Sequence, residues 1–148
     1  MLLIIILTMD FMAKSFEIKI RVYYEDTDAG GIVYYANYLK YLERARTELI
    51  YSLGLKHKKI NEEYGFQIIV VHCDIAFKKP AHFEDHLVIK TELKSLSAVK
   101  LEMIQKVYKV DCWTTTTEEE LLVDAKVTLA CVNSQGKPKK MPPAASLL

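Results

Sequence analysis

What this 148-residue chain lacks first is a basic excess: 20 Lys and Arg stand against 19 Asp and Glu, a formal net charge of +1. Nucleic-acid binders usually carry such an excess, so no nucleic-acid partner is expected, although a local basic patch for an anionic ligand is not excluded. Cysteine is sparse too. Cys73, Cys112 and Cys131 are odd in number, far apart and without a C-x-x-C pair. That spacing argues against a disulfide framework or a zinc site and for reduced thiols in the cytoplasm. Cys73 and Cys131 fall in apolar strand-like runs and read as small core residues. His72, His82 and His86 show no H-x-x-x-H or other zinc spacing, so no metal site is expected.

Long apolar runs are also missing. Residues 1–7 (MLLIIIL) are apolar, but a membrane span needs about 20 such residues. A signal peptide would open on basic residues, whereas here Asp10 follows soon after. Residues 1–15 therefore read as an N-terminal extension, with Met9 and Met12 as alternative starts. Residues 16–148 show no repeat, linker or second compositional regime and read as one domain. Its hydrophobic content of 51% suits a packed core.

The periodicities define an order of elements. In residues 16–23, Phe16, Ile18, Ile20 and Val22 alternate with Glu17, Lys19, Arg21 and Tyr23, the period of a half-buried strand. In residues 37–53, Tyr38, Leu42, Ala45, Leu49 and Leu53 recur every three or four positions, one face of a helix, and Gly54 follows as a helix end prefers. A short helical stretch is expected at 58–64. Strand patterns follow at 66–77, 87–93, 101–107 (with Gln105 as one polar break) and 123–131, and the polar stretch 114–120 reads as a hairpin tip. One strand, one long helix and four further strands make an α+β domain whose helix buries its stripe on one face of an antiparallel sheet.

Chemistry concentrates between the first strand and the long helix. Asp26 and Asp28 stand beside Gly30 and Gly31, just before the helix. A helix N-terminus presents unpaired amides and the positive end of the dipole, so a carboxylate there has an oxyanion site beside it. The same Asp-Thr-Asp-x-Gly-Gly run is also ordinary turn chemistry. A calcium loop is disfavoured, because no regular series of oxygen ligands follows.

The run VYYEDTDAGGIVYYANYLKYLERART, residues 22–47, resembles the signature of the 4-hydroxybenzoyl-CoA thioesterase family, and most closely its YbgC branch, the acyl-CoA thioesterases associated with the Tol-Pal system. The resemblance implies a hotdog fold, a long helix wrapped by an antiparallel sheet. It implies hydrolysis of acyl-CoA, or of acyl-carrier protein, with Asp28 as the catalytic carboxylate, either nucleophile or general base. It implies that the backbone N–H of Tyr35, which opens the helix, polarises the thioester carbonyl. Many branch members carry His there, so a mechanism needing an imidazole does not transfer, whereas a backbone donor does. Asp26, Gly30 and Gly31 are then loop supports. Tyr34 is either an acyl-pocket wall or core. Glu43, at the place where some hotdog thioesterases keep a helical base, reads as structural.

The resemblance further implies no cofactor beyond the CoA of the substrate, and a homodimer that pairs into a tetramer. Lys78, Lys79, Lys94 and Lys100 are candidates for the CoA phosphates, none of them assigned. A non-catalytic acyl-thioester binding module and a scaffold for lipid or envelope proteins are the rival readings. A hotdog dehydratase would need a His-centred helix pattern that this segment lacks.

Overall fold

The computed structural model of the protein describes residues 15–114 and 118–141. Its elements run β1 (Phe16–Arg21), a 3-10 turn (Tyr24–Asp26), α1 (Tyr35–Ser52), α2 (His57–Tyr64), β2 (Gln67–Phe77), β3 (His86–Leu96), β4 (Lys100–Val110) and β5 (Glu119–Val132). The five strands form one antiparallel sheet in the order β1-β3-β4-β5-β2. Strands β3, β4 and β5 are successive hairpin neighbours, while β1 and β2 are the two edges. The chain between those edges carries α1, so the long helix crosses one sheet face. This is the expected α+β, hotdog-type architecture.

The strand register explains why that face is apolar. Ile18 pairs with Ile89, Ile89 with Val107, Val107 with Val123 and Val123 with Phe77, one row across all five strands. Tyr38, Tyr41, Leu42 and Ala45 of α1 pack against this face together with Leu87 and Ala125. One turn further on, Leu49 joins Met103, Val127 and Leu129. Ile60 of α2 closes the far end against Phe66 and Cys131. Fully burying each such aliphatic side chain contributes roughly 1.5–3 kcal/mol, so the helix is held by its stripe rather than by its caps. Lys139 finishes α2 by donating to the carbonyls of Tyr64 (2.7 Å) and Gly65 (3.2 Å), a cation at a helix C-terminus.

Element ends depart from the sequence pattern in three places. Helix α1 begins at Tyr35, two residues before the periodic stretch, because its first turn serves a loop and not the core. Strand β1 stops at Arg21, and Val22 is fully buried as the chain turns away. Strand β5 begins at Glu119, where Glu119 and Glu120 pair with Lys90 and Lys79. The expected hairpin tip is therefore shorter, and residues 115–117 of it lie outside the described residues, as do residues 1–14 of the expected extension. The two cysteines expected in the core also differ: Cys131 is buried, and burial pushes its thiol up to about 11, whereas Cys73 is only half-buried on edge strand β2.

The polar break at Gln105 is a buried junction. Gln105 and Thr91 are both 0% exposed. The Gln105 amide donates to the Leu42 carbonyl at 3.0 Å and to Thr91 Oγ1 at 2.9 Å, while its Oε1 accepts from Arg46 Nη1 at 2.8 Å. The bonds tie the middle of α1 to β3 and β4 and satisfy every polar atom the amide brings inside. Burial pulls the Arg46 guanidinium below its ordinary value, with the Glu43 charge opposing the shift. Gln105→Leu is expected to cost about 3 kcal/mol, since it strands a part-buried cation and leaves the buried Thr91 hydroxyl without its donor. Urea denaturation measures this as a lower midpoint at unchanged slope.

Candidate active site

The segment between β1 and α1 is tied by one residue. Asp26, 9% exposed, accepts the Tyr23 backbone N–H on Oδ2 at 2.9 Å. Its backbone carbonyl accepts Tyr34 N–H at 2.9 Å and Asn37 Nδ2 at 2.9 Å. The end of β1, the loop and the first turn of α1 thus meet at a single peptide unit. Behind it, burial and then the Asp26 charge raise the Tyr41 phenol well above its ordinary value. The Tyr38 hydroxyl accepts Ala81 N–H at 3.1 Å, and burial raises that phenol as well. Both hydroxyls stay neutral at ordinary pH.

Between the two tied ends the chain makes a small hairpin. Thr27 pairs with Val33, and Ile32 with His82. Asp28 N–H donates to the Ile32 carbonyl at 2.9 Å, and Gly31 N–H to the Asp28 carbonyl at 3.0 Å. Gly31 takes a left-handed φ of +76°, which costs a side chain-bearing residue about 1–2 kcal/mol. Gly30 donates its N–H to Asp28 Oδ1 at 2.8 Å, and a Cβ on Gly30 would stand 3.0 Å from that same oxygen. Absence of the side chain is what lets the amide reach the carboxylate. Asp28 is exposed at the hairpin, with Oδ1 fixed in this way.

The hairpin delivers the chain to the start of α1. Its N-cap, Tyr34, makes no side-chain capping bond, and the amides of Tyr35 and Ala36 have no backbone acceptor among the described residues. Asn37, the third helical residue, spends its side chain on Asp26 instead. The open amides therefore face outward with the positive end of the helix dipole. Aromatic rings surround them. Tyr34 and Tyr35 lie 4.9 Å apart between centroids, Tyr35 meets Phe77 edge-on at 6.2 Å, and Tyr38 meets Phe77 at 5.7 Å. The Tyr34 phenol is held above its ordinary value, first by its hydrogen bond with Tyr35, with the Asp28 charge a smaller cause.

The structure thus gathers Asp26, Asp28, Gly30, Gly31 and Tyr35 into one loop and helix start. Glu43 lies two turns away on the exposed side of α1 and accepts Thr47 Oγ1 at 2.6 Å. Lys79 pairs with Glu120, and Lys94 and Lys100 stand exposed around the β3–β4 turn. His86 contacts Arg21 and His82 sits against Asp85. Among the described residues no group of three His, Cys, Asp or Glu is placed to hold a metal ion, and no helix is long and apolar enough to cross a membrane. Sequence reasoning missed Asn37. Its only signal was a polar residue just ahead of an apolar stripe, which also reads as plain helix surface.

The sequence profile of the thioesterase-like superfamily matches residues 22–146. The chain is 35% identical over 130 residues to the acyl-CoA thioester hydrolase YbgC of Escherichia coli O157:H7, covering 88% of each. A probable thioesterase from Bartonella henselae superposes with a TM-score of 0.77 at 32% identity, covering 87% of this chain and 100% of that one. A 4-hydroxybenzoyl-CoA thioesterase mutant, solved with 4-hydroxybenzoyl-CoA, superposes at 0.79 with 23% identity, over 90% of this chain and 97% of that one, a likeness of fold.

If Asn37 holds the loop to the helix, Asn37→Ala should lose about 1–2 kcal/mol of stability, the worth of a buried hydrogen bond to a carbonyl left with one donor. Amide exchange should quicken at Tyr34 and at Asp28, whose N–H groups close the hairpin, and stay unchanged in β4.

Proposed function

The chain belongs to the thioesterase-like superfamily, and from that footing we propose that it hydrolyses the thioester of acyl-CoA with Asp28 as its catalytic carboxylate. One observation carries the assignment of residues: an exposed carboxylate, fixed through one oxygen by Gly30 N–H, stands on the hairpin that leads into the uncapped N-terminus of α1. A thioester carbonyl oxygen set against the Tyr35 amide gains its polarisation as negative charge develops in the transition state. The second Asp28 oxygen, Oδ2, then faces the carbonyl carbon, either directly or across the water it deprotonates. In the water route, the new C–O bond forms as the C–S bond breaks, and the proton taken by Asp28 goes to the departing thiolate. No imidazole is needed, which suits a chain with Tyr at position 35. The reaction needs no cofactor, and CoA is consumed as part of the substrate. CoA is the carrier preferred here, with acyl-carrier protein the second candidate. A Tol-Pal connection would place the enzyme among envelope functions, and the free thiols of Cys73 and Cys131 suit a cytoplasmic setting.

We read the functional unit as a homodimer, with two dimers making a tetramer. The support is edge strand β2, which is 11 residues long. Ile69, Val70 and Val71 on it are 40%, 48% and 49% exposed. A long edge with exposed apolar residues is a template for pairing with another strand, and β2 of a second copy satisfies it isologously. Phe77 at the end of the same strand belongs to the aromatic surround of Tyr35, so pairing there would also wall the acyl pocket. The opposite edge, β1, carries Glu17, Lys19 and Arg21 and is guarded by charge.

Two measurements test the proposal. Asp28→Asn should lower kcat for thiol release from acyl-CoA by about 10²–10⁴-fold, the usual worth of a positioned acid or base, while acyl-CoA still binds. Retained turnover would remove Asp28 from the mechanism. Val70→Lys with Val71→Lys should shift the protein from dimer or tetramer to monomer on analytical ultracentrifugation. An unchanged mass would exclude β2 as the interface.

A further inference from the structure

A cavity that shares Asp26 with the loop junction contains none of the groups assigned to the thioester chemistry above. It encloses about 520 Å³, within the range of roughly 300–1,000 Å³ typical of ligand pockets. Lys19 and Arg21 of β1 and Arg44 of α1 line it, together with Trp113, Glu25 and Asp26. The guarded edge of β1 thus becomes one wall, α1 another, and the segment after β4 a third.

Among the described residues, the cations of this wall are not neutralised by ion pairs. Lys58, Lys59, Lys79, Lys90, Lys109 and Lys126 each lie within 4.0 Å of a carboxylate. Lys19, Arg21 and Arg44 have no such partner among the described residues, although all three share one pocket. Lys19 and Arg21 contact neutral groups instead. Lys19 Nζ donates to the Trp113 carbonyl at 3.3 Å. Arg21 lies 3.1 Å from His86 Nε2, and its guanidinium sits 5.4 Å above the Trp113 ring. His86 meets that ring edge-on at 4.6 Å. Of the two carboxylates in the wall, Asp26 is committed to the Tyr23 amide, which leaves Glu25. Trp113 Nε1–H, in the same wall, is buried without an acceptor among the described residues, an arrangement that is costly until an acceptor arrives.

We infer that this cavity, lined by Lys19, Arg21, Arg44 and Trp113, is a binding site for a phosphate-bearing anion. Guanidinium groups on two walls suit the spread oxygens of a phosphate ester or diphosphate, and Arg21 is already oriented by the indole and the imidazole. Two sources offer that chemistry: the phosphorylated nucleotide end of the CoA substrate, or a free phosphorylated metabolite acting on the enzyme from outside its reaction. Only the first source rests on the thioesterase reading. The position of the cavity, sharing Asp26 with the catalytic hairpin, suits either.

Trp113 is the only tryptophan in the chain, so its emission reports on the pocket. Pyrophosphate and CoA should each change that emission saturably, whereas pantetheine, which lacks phosphate, and sodium chloride at equal ionic strength should not. Arg44→Ala, which leaves the contacts of the indole intact, should weaken pyrophosphate binding by about tenfold or more, the worth of one charge-assisted hydrogen bond, and Arg44→Lys should restore part of it. Isothermal titration repeats the comparison without relying on the indole, and an unchanged melting temperature confirms that the variant is folded. The source follows from kinetics. If Arg44→Ala raises KM for acyl-CoA at constant kcat and leaves KM for acyl-pantetheine alone, the pocket holds the substrate's own phosphates. If KM for both is unmoved while pyrophosphate binding falls, the pocket serves a free anion. No saturable response to millimolar pyrophosphate or CoA, or equal affinity in Arg44→Ala and wild type, overturns the inference. A wild-type protein that bound pyrophosphate but released no thiol from any acyl-CoA would sink the thioesterase reading and leave the anion site standing.

Discussion

The Asp26 peptide unit is the constraint on which the site depends. Its carboxylate holds the end of β1 at Tyr23, and its carbonyl holds Tyr34 and Asn37 at the start of α1. A strand and a helix that only met through a flexible loop would place Asp28 and the helix amides independently. Tied at one buried point, they are placed together, and the hairpin between them has little freedom except at its exposed tip. Catalytic geometry of this kind is costly to lose, because small displacements of a reacting group forfeit much of the gain from positioning. The apolar stripe of α1 then anchors the junction to the sheet, and the Gln105 amide fixes the helix against sliding.

The sheet distributes its exposed backbone unequally between its two edges. The β1 edge is short and charged, and its cations turn toward a pocket. The β2 edge is long and exposes Ile69, Val70 and Val71, with a bulge at Val70/His72. On the proposals above, one edge takes a small charged molecule and the other a second copy of the chain. Both adjoin the loop and helix start that carry Asp28, β1 through Asp26 and β2 through Phe77. Binding at either edge has a short mechanical path to Asp28.

Much of the fold was legible because its periods are clean. The α1 stripe and the alternation of the strands read directly as burial, and every strand expected from the pattern is present. The boundaries were not legible where a residue serves the site and not the core. Tyr35 and Ala36 begin the helix yet lie outside the apolar stripe. Glu119 and Glu120 extend β5 through ion pairs, which leave no hydrophobic signal. In the site, spacing alone left Asp26 and Asp28 divided between turn and catalysis, and resemblance to a family tipped the reading to catalysis. Asn37, Gln105 and the β1 pocket were unreadable in principle. Each depends on partners 11 to 63 positions away or more, and a one-dimensional pattern carries no sign of which distant groups will meet.

The central claim is that the N-terminus of α1 polarises the substrate carbonyl beside Asp28. The most direct test is the infrared stretch of a carbon-13-labelled thioester carbonyl in acyl-CoA bound to Asp28→Asn, where substrate persists. The account predicts a band at lower wavenumber than for the same acyl-CoA in water, reporting hydrogen bonding by the Tyr35 amide and the field of the helix. A bound carbonyl at the same or higher wavenumber would contradict it, since the helix N-terminus would then have no part in holding the oxyanion.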